Sequence, residues 1–271
     1  MSWPAYWKNW KVFDMTEITY RLPAYLIPQK CDTLVRVGRL NDGGYLINSE
    51  DISATAYLIC CGVFDDWSFE ECFLKLRQQS IPLVAFDPTV SLGFFWRRLR
   101  SSLTRILKPQ MLIRDLKKLV SYMRFFKGPD RLHIRRWVGA PHLANSISLA
   151  EFVRDRFGDE QGFFKIDIEG SEYRLLPELI DLQPRMSGLA IEFHDCDLHL
   201  DAIEKFVRDI KLSLVHVHPN NCGGISMGGL PLVLEMTFSR GGLPRESVSS
   251  LPHDLDSDNN PVGDHYVWLS K

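Results

Sequence analysis

Short apolar runs alternate along the chain with stretches whose apolar positions recur at helical spacing, the pattern of strands joined by helices. Two β-prone runs flank Asn41-Asp42-Gly43-Gly44 in LVRVGRLNDGGYLI, and that polar, glycine-containing centre predicts a hairpin. AYLICCG (56–62) is continuously apolar, as a strand buried on both faces must be. Ser68-Phe69-Glu70-Glu71 follows as a capping box, with Phe69, Phe73 and Leu76 spaced for one helical face. PLVAFD (82–87) and HIRRWVG (133–139) predict the next two strands. Ser148-Leu149-Ala150-Glu151 is a second capping box. Leu149, Phe152, Val153 and Phe157 share a face behind it, and Gly158 stops that helix. GFFKIDIEG (162–170) and GLAIEFH (188–194) predict two further strands, the second followed by a stripe of Ile203, Phe206, Val207 and Ile210. SLVHVHP (213–219) and LVLEMTF (232–238) complete a set of seven.

Strands separated by helical segments imply right-handed crossovers and a sheet covered on both faces. The last two are joined by NNCGGISMGG, which has no helical period, so they are expected to be antiparallel neighbours. The expectation is a Rossmann-like α/β fold with a doubly wound, mostly parallel seven-stranded sheet and an antiparallel last strand. Residues 1–33, with Trp3, Tyr6, Trp7, Trp10 and Phe13, form an aromatic-rich preamble to a domain over 34–271.

Between the second and third strands lies a helical insert, residues 94–127, with ten Lys/Arg against one Asp. Its local charge of +9 leaves −11 on the rest of a chain whose net charge is −2. Leu99, Leu103, Ile106 and Leu107 form one stripe; Leu112, Ile113, Leu116, Leu119, Val120 and Met123 form another, and Pro109 separates them. The simpler reading is a helical pair packed on the domain with a solvated basic face. The alternative is a platform for an anionic membrane surface or substrate.

The small net charge gives no global signature of nucleic-acid binding, so no nucleic-acid partner is expected. No run approaches the roughly 18 apolar residues of a membrane span, and MSWPAYWKNW lacks the basic-then-apolar order of a secretory leader. The six cysteines include no C-x-x-C pair, and Cys60 and Cys61 sit inside a strand run. Reduced, buried thiols point to a cytoplasmic protein, with peripheral membrane contact through the insert as the variant.

In such a sheet, ligands bind beyond the carboxyl ends of the strands. After the first strand, Gly62-Val63-Phe64-Asp65-Asp66 opens a helix and presents backbone N–H groups. Asp87 ends the second strand, 25 positions after Gly62, a separation at which a carboxylate accepts from ribose hydroxyls; the bland alternative is a turn aspartate. FFKIDIEGSEYRLL sets Asp167, Glu169 and Glu172 where the fourth strand hands over to a helix. Charges do not belong in a doubly buried strand, so Asp167 and Glu169 are expected to line the cleft. Glu172 reads as a first-turn acid complementing the helix dipole. Alternation points Glu192 and His194 to one side of the fifth strand, and a histidine at a strand end suits a general base or a structural hydrogen bond.

Phe164-Lys165-Ile166-Asp167-Ile168-Glu169-Gly170-Ser171-Glu172 resembles the K-I-D-[IV]-E-G-x-E signature of FkbM-type methyltransferases. Val37 through Tyr45 resembles an R-x-x-D-G-G-Y entry in one branch of that group, Gly62 through Glu70 its G-[IV]-G-x-D-x-S-F-E loop, and Ala85 through Thr89 its F-D-P-T segment. His216 through Gly224 and Leu255 through Pro261 are similar to the same branch, so the resemblance spans about residues 34–262. It implies a class I methyltransferase fold and transfer of a methyl group from S-adenosylmethionine to a hydroxyl of a sugar or other small acceptor. It further implies that Gly62, Asp66 and Asp87 hold the cofactor, with Asp42 and Gly43 closing the site. His194 is then the candidate base, with Asp167 or Glu169 orienting it or the acceptor. The chain departs from the pattern at Phe64, where the branch has a glycine and a side chain stands to crowd the methionine moiety.

His194, Asp195, Asp197 and His199, with His216 and His218, offer imidazoles and carboxylates to a divalent ion, but their spacing matches no established zinc pattern, and structural roles are favoured. The alternatives to a methyltransferase are a dinucleotide- or nucleotide-sugar-dependent enzyme, against which the missing G-x-G-x-x-G argues, and an inactive scaffold that binds a partner or an anionic membrane.

Overall fold

The computed structural model describes residues 17–103, 109–139, 143–241, 246–261 and 266–270. Along the chain run β1 (Glu17–Arg21), β2 (Leu34–Val37), β3 (Tyr45–Asn48), α1 (Ser49–Ala54), β4 (Tyr57–Cys61), α2 (Ser68–Arg77), β5 (Leu83–Phe86), α3 (Leu92–Leu103) and α4 (Pro109–Phe126). They are followed by β6 (Arg131–Ile134), α5 (Leu149–Phe157), β7 (Gly162–Ile166), α6 (Glu172–Leu182), β8 (Met186–Phe193), α7 (Cys196–Asp209), β9 (Ser213–Pro219), β10 (Leu234–Ser239) and β11 (Tyr266–Ser270). The aromatic residues of the preamble, from Trp3 to Phe13, lie outside the described residues.

Seven strands form one sheet in the order β6-β5-β4-β7-β8-β10-β9. The first five are parallel, and β10 runs antiparallel to both β8 and β9. The order reverses between β4 and β7, the switch point of a doubly wound sheet. With its reversed final strand, this is the Rossmann-like arrangement of class I methyltransferases. Separately, β1 and β11 pair in parallel, and β2 and β3 form the expected antiparallel hairpin.

Alternation along the strands separates two cores. Tyr57, Ile59, Phe164, Ile166, Leu189, Ile191, Phe193, Leu234 and Met236 face α5, α6 and α7. Leu58, Phe163 and Ala190 face the opposite layer, where Phe69 and Phe73 of α2, Phe95 of α3 and Tyr122 of α4 pack with the hairpin's Val37, Tyr45 and Ile47. Ser148 caps α5 as expected, its hydroxyl accepting from the Glu151 N–H at 3.2 Å, and Gly158 ends that helix with φ +58°.

Three local expectations fail. The third strand is Arg131–Ile134, upstream of the expected 133–139: it is an edge strand with half-exposed positions, and Trp137 lies beyond it, in an isolated bridge to Ser146. Ser68 does not cap α2; Asp66 Oδ1 accepts from the Ser68 N–H at 3.2 Å instead, and Leu76 lies exposed off the Phe69–Phe73 face. The second stripe of the insert divides. Leu119 is buried and Leu112 half-buried, whereas Ile113, Leu116 and Met123 are 54, 49 and 45 % exposed. Asp115 takes the inward position because Arg98 Nε, at 2.8 Å, and the Ser102 hydroxyl on α3 neutralise it there. Ile106 and Leu107 of the first stripe lie outside the described residues.

Candidate active site

The β4–α2 turn is fixed by a close backbone approach. A Cβ on Gly62 would stand 1.6 Å from the Asp167 carbonyl oxygen, and its φ is +80°, so only glycine fits. Asp87, 4 % exposed at the end of β5, secures the same turn from behind. Its Oδ2 accepts from the N–H groups of Val63 (3.2 Å) and Phe64 (2.8 Å), and its Oδ1 from the Thr89 N–H (2.8 Å) and hydroxyl (2.6 Å). A ribose contact at this carboxylate therefore exchanges with bonds already made. Phe64 adopts φ +39°, the region glycine occupies freely, and its half-exposed ring lies 5.8 Å from that of Phe94.

The hairpin loop closes over this turn. Arg39 Nε pairs with Asp66 Oδ2 at 2.8 Å, and Gly43 stands against the same carboxylate. Asp42 is tied further along: its N–H donates to the Asn259 carbonyl (3.2 Å) and its Oδ1 accepts from Asn220 Nδ2 (3.4 Å). The five residues expected to hold a cofactor thus lie on three neighbouring loops.

Beside them a polar row crosses the sheet. Cross-strand register sets Glu192 of β8 opposite Glu235 of β10, and Glu235 opposite His218 of β9. Asp167 follows the last residue of β7, whose Ile166 is in register with Ile191, so the row runs Asp167, Glu192, Glu235, His218. Two elements cover it: Tyr45 of the hairpin donates its hydroxyl to Glu192 Oε2 at 2.9 Å, and Asn220, just after β9, donates Nδ2 to Glu192 Oε1 at 2.9 Å. Asn259 Nδ2 donates to Glu235 Oε1 at 2.6 Å, and His216 Nε2 and His218 Nδ1 face Asp256 Oδ1 at 2.8 and 3.5 Å.

Asp167 and His194 come together at the ends of β7 and β8: one oxygen of Asp167, one of Glu192 and one ring nitrogen of His194 lie within 4.8 Å of one another. Lys165, buried two residues earlier, donates to Asp167 Oδ2 at 3.0 Å and to the Gly62 carbonyl at 3.1 Å. His194 is held by Glu172, whose Oε1 is 2.6 Å from Nδ1, while Nε2 faces Glu169 Oε2 at 3.5 Å and Glu192 Oε1 at 3.7 Å. Glu169 is the exposed member, on a residue with φ +53°.

Burial works against a charged His194, but the bond and charge of Glu172, with Glu192 and Asp167 near, outweigh it and push its pKa up to about 9. Burial, reinforced by the charges of Asp167 and Glu235, holds the Glu192 carboxyl well above the usual range. Burial likewise raises Glu235 to about 7, against the opposing effects of His218 and Asn259. Lys165 is raised despite burial, through the charges of Asp167 and Glu70.

Several members of this site escape sequence reasoning. Glu172 is no mere helix-dipole acid: it is fully buried and orients His194. Lys165, Tyr45, Asn220 and Glu235 gave one signal, a polar residue within or against an apolar strand, which marks a site only when the register between strands is known. The other groups weighed as metal ligands disperse. Asp195 and Asp197 are exposed, the His199 ring packs 3.9 Å from that of Tyr173, and His216 and His218 belong to the Asp256 pair.

No protein-family profile and no curated protein matches the chain. Among solved structures it is similar to the fibrillarin pre-rRNA processing protein of Methanococcus jannaschii, at 6 % identity over 70 % of this chain and 68 % of that one, with a TM-score of 0.39. It is also similar to an rRNA methylase from Streptococcus thermophilus, at 12 % identity over 70 % of this chain and 93 % of that one, TM-score 0.38. A third likeness is to M. capricolum TrmK in complex with S-adenosyl-homocysteine, at 9 % identity over 77 % of this chain and 73 % of that one, TM-score 0.35. These likenesses are distant, and the class of the fold rests on the order and direction of the strands.

Proposed function

We propose that the chain is an S-adenosylmethionine-dependent methyltransferase of the FkbM type that methylates a hydroxyl of a sugar or another small acceptor. The observation that supports this most is the meeting of Asp167, Glu192 and His194 at the carboxyl ends of β7 and β8, beside the Gly62 turn at the switch point. In this reading the cofactor lies along the β4–α2 turn, between Asp66 and Asp87, under the Asp42–Gly43 loop. The sulfonium activates the methyl group, so the protein's task is alignment. The acceptor oxygen attacks the methyl carbon; a C–O bond forms as the C–S bond breaks, and the electron pair stays on sulfur as S-adenosylhomocysteine. The hydroxyl proton leaves to Glu169, the exposed carboxylate beside His194, and from there to water.

Calorimetry with S-adenosylmethionine, S-adenosylhomocysteine and NAD tests the reading. Binding of the first two and not the third is expected; binding of NAD alone, or of none, overturns it. His194→Ala should then lower turnover on the order of a hundredfold while changing cofactor affinity less than about threefold, because the residue faces the acceptor.

A further inference from the structure

We propose that Asp167, Glu192 and His194 form a binding site for one divalent cation of the magnesium or manganese class. The three side chains come from the ends of two adjacent parallel strands and bring two carboxylate oxygens and one imidazole nitrogen within 4.8 Å, a donor set suited to such ions. A second and independent feature is what stands behind each donor. Metal-bound histidines give their other ring N–H to a carboxylate, and His194 Nδ1 meets Glu172 Oε1 at 2.6 Å, which leaves Nε2 aimed at Glu192. Carboxylate ligands are themselves hydrogen-bonded: Lys165 holds Asp167 Oδ2, while Tyr45 and Asn220 hold Glu192. Each carboxylate oxygen has two lone pairs, so these bonds orient the group and leave a direction for a cation. Glu172, Lys165, Tyr45 and Asn220 are therefore positioning residues and not ligands.

This site differs from the sequence neighbours Asp195, Asp197 and His199, which do not join it. For its purpose, though not for its existence, the inference rests on the methyl-transfer reading. A cation here takes the acceptor oxygen as a further ligand and lowers the pKa of its hydroxyl. The O–H bond then breaks with its proton going to exposed Glu169, whose Oε2 is 3.5 Å from His194 Nε2, and from there to water.

The test uses the full chain and MnCl2 alone, with no cofactor or acceptor present. Electron paramagnetic resonance should show one bound Mn2+ per chain, with spin-echo modulation from a single imidazole nitrogen. His194→Ala should abolish that modulation and, like Asp167→Asn, weaken binding at least tenfold. Glu172→Gln should weaken it about 10- to 100-fold, the range for such outer partners. Asp181→Asn, an exposed carboxylate paired with Arg154, should leave it unchanged. The parent protein needs no variant to decide the matter: Mn2+ bound without nitrogen modulation, or not bound, overturns the site. A protein that binds Mn2+ in this way yet ignores S-adenosylmethionine refutes only the methyl-transfer reading. Cofactor binding without Mn2+ refutes only the cation.

Discussion

Glu172 Oε1 stands 2.6 Å from Nδ1 of His194, so a carboxylate with no exposure to solvent sets the angle of an imidazole just beyond the end of β8. The same oxygen accepts from the Gly170 N–H at 3.1 Å and thereby also shapes the β7–α6 turn. Glu172→Ala strips an acceptor from both donors and should destabilise the protein by about 2–4 kcal/mol, with Glu172→Gln recovering a large part. Urea unfolding midpoints of the two variants read this directly. Equal stability of Glu172→Ala and the parent would show the contact to be dispensable.

Asp87→Ala is expected to act on the turn and the ligand together. Three N–H groups and a hydroxyl lose a charged acceptor, a stability loss of about 2–3 kcal/mol. Loosening of the turn, with loss of the ribose partner, should weaken S-adenosylhomocysteine roughly thirtyfold, about 2 kcal/mol. Calorimetry and thermal melting on one preparation separate the two effects. Weaker stability with unchanged affinity would confine Asp87 to the scaffold.

Phe64→Gly removes a bulky residue from φ +39° and a ring from the mouth of the turn. Strain relief and the greater freedom of glycine when unfolded oppose each other, so stability should stay within about 1 kcal/mol of the parent. Binding of S-adenosylhomocysteine should tighten. A folded variant with weaker binding would identify the ring as part of the ligand's contact surface.

Acid should release the C-terminal segment at Asp256. Burial opposes ionisation of this carboxyl, but hydrogen bonds and charge from His216 and His218 hold it well below the usual carboxylate range. A depressed carboxylate contributes stability above its unfolded pKa of about 3.9 and loses it as pH falls toward its folded value. The parent should therefore lose stability below about pH 4, and Asp256→Asn should start less stable with a flatter acid limb. Melting temperatures from pH 3 to 7 decide it: parallel curves for the two proteins would remove Asp256 from the account.

The basic helical pair divides its cations. Arg98 joins Asp65 and Asp115, and Lys118 reaches Asp65 beneath a cation–π contact with Trp67. Arg97, Arg100, Arg114, Lys117, Arg124 and Lys127 are exposed, as are Trp96, Ile113, Leu116 and Met123. We propose peripheral contact of this face with an anionic membrane, each nearby cation contributing on the order of 1 kcal/mol. Flotation should recover the protein with anionic vesicles at low salt, less at high salt, and none with neutral lipid. Recovery insensitive to salt or lipid charge would leave a solvated face.

The order of elements was legible because parallel strands buried on both faces read as unbroken apolar runs: Tyr57–Cys61, Leu83–Phe86 and Met186–Phe193 all fall within or beside theirs. Register between strands is not written in any run. Glu192 and His194 were legible as neighbours on one face, but that Glu235 completes a row with Glu192 depends on how a strand some forty residues later is placed. The buried Asp115 shows the same limit on a helix. Periodicity gives an apolar face to Leu112, Leu116 and Leu119, and cannot know that an arginine and a serine of the preceding helix draw a carboxylate inward.

The reversed direction of β10 has a kinetic consequence. Because this strand enters the sheet at the ligand edge and leaves at the other, the chain must return to reach that edge a last time, and it brings Asp256 and Asn259 with it. The bonds that then seal the rim join residues far apart in the chain: Asn220 to Asp42 across 178 positions, Asn41 to Asp258 across 217. Contacts of such separation form late, after the sheet that supports them has already organised. The rim of the site is thus fastened by the last residues the chain delivers, and its order depends on where the segment around Asp256 and Asn259 is placed.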